Sequence, residues 1–226
     1  MNEEQHEFAP TEARVREIYR RLSIAAEHWD KTSLSYFEGQ PFKALIAAML
    51  SAQTREEHTL AAANALFALA ETPEAMAQLS PEAITKAIRR VMYWERKVLY
   101  VQDIARQVTA NGGVVPRTVD ELIVYKGVGW KVAVLTLAVG YGIYDDITVD
   151  VHVARIGVRL GLVDPGIKQP PKVNDALKQV IPREYWPYWN GLMVQFGREV
   201  CLPTYPRCPT CPLRDLCPRI GVKDRS

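Results

Sequence analysis

Apolar and polar residues follow a helical periodicity along most of the chain. Val15, Ile18 and Leu22 lie at i, i+3 and i+7, so an amphipathic helix is predicted over 12–28. Residues 42–53 are almost continuously apolar, which is typical of a buried helix. No segment alternates convincingly with the period of two that marks a half-buried strand. The pattern therefore predicts an all-α fold.

Hydroxyl and proline signals locate several helix starts. Thr72 and Ser80 each precede a Pro, which combines a capping side chain with a residue suited to the first helical position. Thr54 and Thr118 each stand three residues before a Glu, the arrangement of a capping box. Helices are predicted over 54–69, from 73, from 81, over 95–110, 119–125, 130–142 and 150–162 and, after a loop at Pro170-Pro171, over 172–181 and 184–200.

Composition narrows the class of protein. The 226 residues are 48% hydrophobic and 24% charged, an ordinary globular balance with room for one large or two small domains. No run approaches the ~18 apolar residues of a membrane span. Residues 1–7 are acidic, unlike a signal or transit peptide, so a cytosolic location is expected.

Charge alone leaves nucleic acid open as a partner. The net charge is +2, but residues 201–226 carry five basic residues against two Asp. A bound polyanion responds to the local field and not to the sum of charges. This basic end of the chain also contains every cysteine.

The four cysteines read Cys201-x6-Cys208-x2-Cys211-x5-Cys217. Disulfides are uncommon in the cytosol, so this clustering indicates a metal site. Zinc sites made of four cysteines usually contain two Cys-x2-Cys knuckles, and only one is present. One local loop that supplies all four thiolates favours an iron–sulfur cluster, with zinc as the alternative.

A glycine hairpin is the most informative segment. Gly127-Val128-Gly129 separates the predicted helices 119–125 and 130–142, and the amide groups at the start of the second helix suit a phosphate. Lys131 lies in the first turn of that helix, among residues that are apolar in sequence. The helix dipole and desolvation would both favour its neutral, nucleophilic form. The simpler interpretations are a turn that only joins two helices and a solvated lysine.

Asp150 and His152 form a second candidate group. Asp150 stands at the predicted start of helix 150–162, where an N-cap is its ordinary role. An aspartate held rigidly in this way is also suited to face a reacting group. His152 is suited to contact a base or a phosphate, although a lone histidine is more often structural.

Four motifs together resemble those of endonuclease III, a helix-hairpin-helix DNA glycosylase that carries a [4Fe–4S] cluster. They are LIAAMLSAQT (45–54), KGVGWKVA (126–133), ITVDVHVAR (147–155) and the cysteine spacing, and they occur in the family's order. The resemblance covers about residues 40–220. It implies a six-helix domain with the hairpin at 34–147 and a cluster domain formed by 1–33 plus 148–226.

The resemblance implies a base excision repair enzyme with glycosylase and abasic-site lyase activities. Lys131 would attack C1′ of a flipped-out nucleotide whose base is an oxidised pyrimidine. Asp150 would activate the lysine or stabilise the charge that develops on the sugar, across a cleft between the two domains. Breakage of the strand 3′ of the site by β-elimination would follow, because only an amine forms the required imine. The four cysteines would hold the [4Fe–4S] cluster.

Further residues would contact damaged double-stranded DNA if the resemblance holds. Gln53 would fill the gap left by the flipped nucleotide, and Met92 would lie near the residue that wedges into the duplex. The amides of Gly127 and Gly129 would hold a phosphate near the lesion. The remaining expected contacts are Lys126, Trp130, His152, Arg155 and Arg207, with Arg214 and Arg219 on the same loop as Arg207.

The chain also departs from the family's pattern, at residues that cluster around the expected lesion pocket. Tyr125-Lys126-Gly127 replaces the usual Leu-Pro-Gly, and Trp130 replaces a common basic residue. Three alternatives therefore stay open: a monofunctional glycosylase for another base, a cluster protein that binds distorted DNA, and a zinc-binding helical adaptor. A monomer is expected.

Overall fold

The computed structural model describes residues 8–222. By its contacts the chain divides into two compact units, Thr32–Tyr144 and Met1–Lys31 with Asp145–Ser226. The acidic stretch 1–7 and the basic residues Lys223 and Arg225 lie outside the described residues. Within the described part, the regular structure is helical, as the periodicity predicted.

The unit Thr32–Tyr144, described throughout, contains seven α-helices. They are α2 (Pro41–Ser51), α3 (Glu56–Leu69), α4 (Pro73–Ala77), α5 (Pro81–Ile88), α6 (Trp94–Ala110), α7 (Val119–Leu122) and α8 (Trp130–Tyr141), preceded by a 3-10 helix at Ser33–Phe37. Two of the seven, α4 and α7, have only five and four residues.

The other unit places an N-terminal helix on the C-terminal part of the chain. Its helices are α1 (Glu12–Ala26), α9 (Val151–Arg159), α10 (Pro170–Val180) and α11 (Trp186–Glu199), with 3-10 helices at Arg183–Tyr185 and Cys208–Thr210. Val15, Ile18 and Leu22 on α1 are fully buried in the same apolar cluster as Trp189 and Phe196 of α11. The spacing of apolar residues in the sequence therefore predicts the buried face of α1 correctly.

Most predicted caps are present, and one is wrong. Thr72, Ser80 and Thr118 accept hydrogen bonds from the backbone three residues further on. Helix α3 instead begins after Arg55, without a side-chain cap. Thr54 does not cap it, because its hydroxyl is hydrogen-bonded to Ala52, to Lys97 on α6 and to Met92 in the turn before α6.

Two other predictions about helix ends are corrected. Pro170 and Pro171 do not form a loop but occupy the first turn of α10, where a missing amide hydrogen costs nothing. Helix α2 ends at Ser51, so Gln53 lies beyond it with a left-handed φ of 56°.

Helix α2 forms the centre of its unit and packs closely against the hairpin helix α8. Every residue from Ala44 to Leu50 is almost completely buried. A Cβ atom on Gly140 of α8 would lie 2.7 Å from the Cα atom of Pro41 at the start of α2. Glycine is therefore required at this crossing, and the close approach fixes α8 against the core.

We predict that Gly140→Ala lowers the free energy of unfolding by about 1–3 kcal/mol, because backbone must move to admit the methyl group. Gly191→Ala in α11 is the matched control, since its Cβ would meet no described atom within 4 Å. The control should gain up to about 1 kcal/mol of helix propensity. Urea unfolding measures both, and equal stability of the two variants would contradict the role given to Gly140.

Candidate active site and cysteine loop

The hairpin between α7 and α8 is a tight turn that packs against α6. Gly127 has φ +83°, and a Cβ atom there would lie 2.4 Å from Cδ2 of Tyr100. Both its backbone conformation and its close contact therefore require glycine. Tyr125 and Val128 are buried and joined by a 3.0 Å hydrogen bond from the Val128 amide to the Tyr125 carbonyl. The buried Tyr125 and Val128 therefore anchor the turn on both sides of Gly127.

The other hairpin residues face outward. Lys126, Gly127 and Gly129 are exposed, and Gly129 is the N-cap residue of α8. Among the described residues, no side chain caps this helix end. A helix N-terminus of this kind offers backbone amides and the positive end of its dipole to an anion. The arrangement is suited to bind a phosphate, and that contact stays a prediction.

Lys131 is the second residue of α8, directly after the half-buried Trp130. Its side chain is exposed, whereas Val132, Val134 and Leu135 turn into the protein. The predicted desolvation of this lysine is therefore wrong, because helical geometry places those apolar neighbours on other faces. The lysine remains at the helix end nearest the hairpin amides.

Asp150 caps α9, as its position in the sequence predicted. One carboxylate oxygen accepts hydrogen bonds of 2.9 Å from the backbone amides of both His152 and Val153. Its backbone is extended, and the side chain is half-buried. The cap fixes the orientation of the carboxylate relative to α9.

His152 and Arg155 pack against α11 and the cysteine loop. Nδ1 of His152 lies only 2.3 Å from the position of a Cβ atom on Gly197. Nη2 of Arg155 donates to the carbonyls of Gly197, at 3.3 Å, and Cys201, at 2.9 Å. Burial lowers the pKa of the guanidinium from its ordinary value. Arg155 therefore supports the loop, and its role as a DNA contact stays a prediction.

Gln53 and Met92 lie on two exposed turns of the hairpin unit. Met92 precedes Tyr93, which has a left-handed φ of 57°, as Gln53 has at 56°. The Met92 amide donates a 3.2 Å hydrogen bond to the hydroxyl of Thr54, next to Gln53. The structure thus brings these two predicted DNA-contact segments together.

Sequence reasoning missed Lys97, a buried lysine on α6. Its side chain is 5% exposed, and burial lowers its pKa to about 8. Lys97 shares the buried helical face with Val101, Ile104 and Val108. That spacing could have identified Lys97 from the sequence, because a lysine within an apolar stripe of a helix needs hydrogen-bond acceptors inside the protein.

The four cysteines line one cavity. Its apolar wall includes Leu160, Phe196 and Leu213. Burial raises the pKa of the Cys211 thiol to about 11, and also raises the pKa of Cys217. A bound metal would have to displace protons from these thiols.

Two buried arginines that the sequence analysis did not single out bind backbone carbonyls of the cysteine loop. Arg159 donates to the carbonyls of Leu202, at 2.6 Å, and Pro203, at 2.8 Å, and lies 3.3 Å from the Cys201 sulfur. Arg14 of α1 donates to the carbonyl of Leu216 at 2.8 Å. The loop, which has little apolar core of its own, is thus tied to α9 and α1 by charged donors.

The cavity has the donor set of a cluster site, but its thiols do not converge on a point. In the part of the chain that is described, no group of three or more His, Cys, Asp or Glu side chains is arranged to hold a single metal ion. Four thiols around one apolar cavity, with an arginine beside one sulfur, do fit a larger sulfur-ligated group.

The predicted residues divide between the two units. Lys131 lies in the unit Thr32–Tyr144, with Gln53, Met92 and the hairpin, whereas Asp150, the cysteines and the exposed Arg207 lie in the other. Among the described residues, no helix has the length and apolar character needed to cross a membrane.

Comparison with known proteins assigns this architecture to a class. Residues 46–183 match the model of the HhH-GPD superfamily base excision DNA repair proteins. Endonuclease III of Thermotoga maritima is 38% identical over 195 residues, covering 86% of this chain and 90% of the relative. Endonuclease III-like protein 1 of Bos taurus is 36% identical over 196 residues, covering 86% of this chain and 64% of the relative.

Solved structures agree with the sequence matches. A non-covalent endonuclease III–DNA complex superposes with a TM-score of 0.81 at 30% identity, covering 92% of this chain and 96% of that one. A thermostable thymine-DNA glycosylase shares the fold, with a TM-score of 0.75 at 18% identity. The chain belongs to the endonuclease III family of the HhH-GPD superfamily. It spans slightly less than two thirds of the length of the mammalian relatives.

We predict that the capping role of Asp150 can be separated from its charge. Asp150→Ala should lower the free energy of unfolding by about 1 kcal/mol, because two amides lose their acceptor. Asp150→Asn should stay within a few tenths of a kcal/mol of the wild type, since asparagine caps equally well. Urea unfolding of the three proteins measures this, and equal losses in both variants would refute it.

Proposed function

We propose that the protein is a bifunctional DNA glycosylase and abasic-site lyase that removes oxidised pyrimidines in base excision repair. The observation that carries this proposal is Lys131 in the first turn of the helix that follows the glycine hairpin. A lysine supplies a chemical step that water cannot, since only an amine forms an imine with the sugar. The partner is double-stranded DNA with a damaged base, and the place of action would be the nucleoid.

The reaction begins at the amine of Lys131. The neutral amine attacks C1′ of the flipped-out nucleotide, the N-glycosidic bond breaks, and its electron pair leaves with the base. Loss of the amine proton and opening of the sugar ring give an imine. Asp150 would act as the base for the lysine or stabilise positive charge on the sugar. The imine acidifies the 2′ proton, and its removal expels the 3′ phosphate.

Other residues would hold the DNA. The amides around Gly129 would bind a phosphate beside the lesion, with Lys126 as a further cation. Arg207, exposed on the cysteine loop, would contact the backbone without reading its sequence. Gln53 and Met92 would occupy the space left by the flipped nucleotide.

The half-buried Trp130 bears on which base is removed. It directly precedes the lysine, so its ring would narrow the lesion pocket or stack there. A monofunctional glycosylase for another base is the alternative, and the lysine argues against it.

We propose that Cys201, Cys208, Cys211 and Cys217 hold a [4Fe–4S] cluster, which would order a loop that has little core of its own. Purified protein should then be yellow-brown, with a broad visible absorbance and about four iron and four sulfide per chain. Cys208→Ala should lose this absorbance. A colourless protein with one zinc would refute the cluster and favour the adaptor alternative.

Borohydride trapping on a duplex with one abasic site tests the lyase activity. The wild type should form a covalent adduct, and Lys131→Ala should form none, because the amine that makes the imine is gone. Lys86→Ala, which removes an exposed lysine of α5, is the control and should trap like the wild type. An adduct that survives in Lys131→Ala would assign the nucleophile elsewhere, and absence of any wild-type adduct would overturn the lyase proposal.

A further inference from the structure

The ammonium group of Lys97 joins the two turns that carry Gln53 and Met92. Its Nζ donates to the carbonyls of Leu50 and Ala52, each at 2.7 Å, and to the hydroxyl of Thr54 at 3.2 Å. An ammonium has three hydrogens, so all of its donors are used. The two carbonyls lie at the C-terminal end of α2, where the helix dipole favours a cation.

Thr54 extends this arrangement to the second turn. Its hydroxyl oxygen accepts from Lys97 and from the backbone amide of Met92 at 3.2 Å. The same hydroxyl lies 3.3 Å from the Ala52 carbonyl, to which it donates. The hydroxyl is thus fully used, and it connects the turn after α2 to the turn before α6.

Both connected turns contain a strained backbone. Gln53 and Tyr93 are non-glycine residues with φ of 56° and 57°. Such conformations persist when the surrounding contacts determine them, and they cluster at functional sites. Lys97 and Thr54 supply those contacts on the inner side, while Gln53, Met92 and Tyr93 are exposed on the outer side.

We propose that Lys97 and Thr54 are positioning residues that hold the Gln53 turn and the Met92–Tyr93 turn in one fixed arrangement for entry into the DNA duplex. This inference rests on the proposed function, because only a protein that binds damaged DNA would insert these two turns into a duplex. The proposed mechanism gives neither residue a contact with the reacting sugar. Their effect is on the segments that replace the extruded nucleotide, and not on imine formation at Lys131.

The test measures entry into the duplex separately from binding. The probe is a duplex with a tetrahydrofuran abasic analogue opposite 2-aminopurine, whose fluorescence rises when a side chain enters the gap and disturbs its stacking. The wild type should bind and give this rise. Lys97→Met should lose more than about half of the rise at saturating protein, because an apolar end group cannot hold the carbonyls and the hydroxyl together. Its dissociation constant should change less than about threefold, because phosphate contacts dominate affinity.

Thr54 provides the matched pair of variants. Thr54→Val keeps the shape and loses the hydroxyl, so its fluorescence rise should fall. Thr54→Ser keeps the hydroxyl and should restore the rise. Lys86→Met is the control for losing one positive charge and should behave as the wild type.

The outcomes separate this inference from the proposed function. A full rise at saturation in Lys97→Met or Thr54→Val would overturn the inference even where the wild type traps an abasic site. Absence of a rise in the wild type would also overturn it. The proposed function fails only on the borohydride assay. If Lys97→Met does not fold, the comparison of Thr54→Val with Thr54→Ser decides.

Discussion

The burial of helix α2 is the constraint on which the hairpin unit depends. A helix that is apolar on nearly every side must be covered on nearly every side, and the surrounding helices of its unit do this. The close contact at Gly140 then fixes α8, whose first turn carries Lys131. The C-terminal carbonyls of α2 in turn receive Lys97. One buried helix thereby positions both the candidate nucleophile and the turns bearing Gln53 and Met92.

The cysteine loop differs from α2, because it has little apolar surface to bury and must be stabilised in another way. Leu213 is its one fully buried hydrophobic side chain within the described residues. Backbone carbonyls in the loop instead accept hydrogen bonds from Arg159, Arg155 and Arg14. These arginines extend from α9 and α1, whose apolar faces are buried in the core of the unit. Buried guanidinium groups are favourable when their donors are paired, and these carbonyls supply partners for most of them. Nε of Arg155 is the exception, because it is buried without a hydrogen-bond partner among the described residues. The loop therefore depends on α9 and α1 before any bound group contributes.

Sequence signals correctly predicted those features that depend on interactions between residues close together in the chain. The caps at Thr72, Ser80, Thr118 and Asp150 follow from hydrogen bonds to amides two or three residues away. Thr54 satisfied the same pattern, yet its hydroxyl bonds to groups some forty residues further on. The predicted desolvation of Lys131 failed because sequence neighbours are not spatial neighbours on a helix. Lys97 and Arg159 required knowledge of which carbonyls are buried beside them, and this depends on tertiary structure.

The charged residues of the candidate site and the charged residues that stabilise its backbone have different surroundings. Lys131 is exposed in the first turn of α8, beside the helix amides. Lys97 is enclosed by oxygen acceptors, and its three donors are used on two backbone carbonyls and one side-chain hydroxyl. Asp150 is half-buried, and one of its carboxylate oxygens caps α9, which fixes the orientation of the whole carboxylate. The hydrogen bonds of the N-cap fix the direction of the Asp150 carboxylate, so the residue that starts α9 is also the one that the proposed mechanism requires.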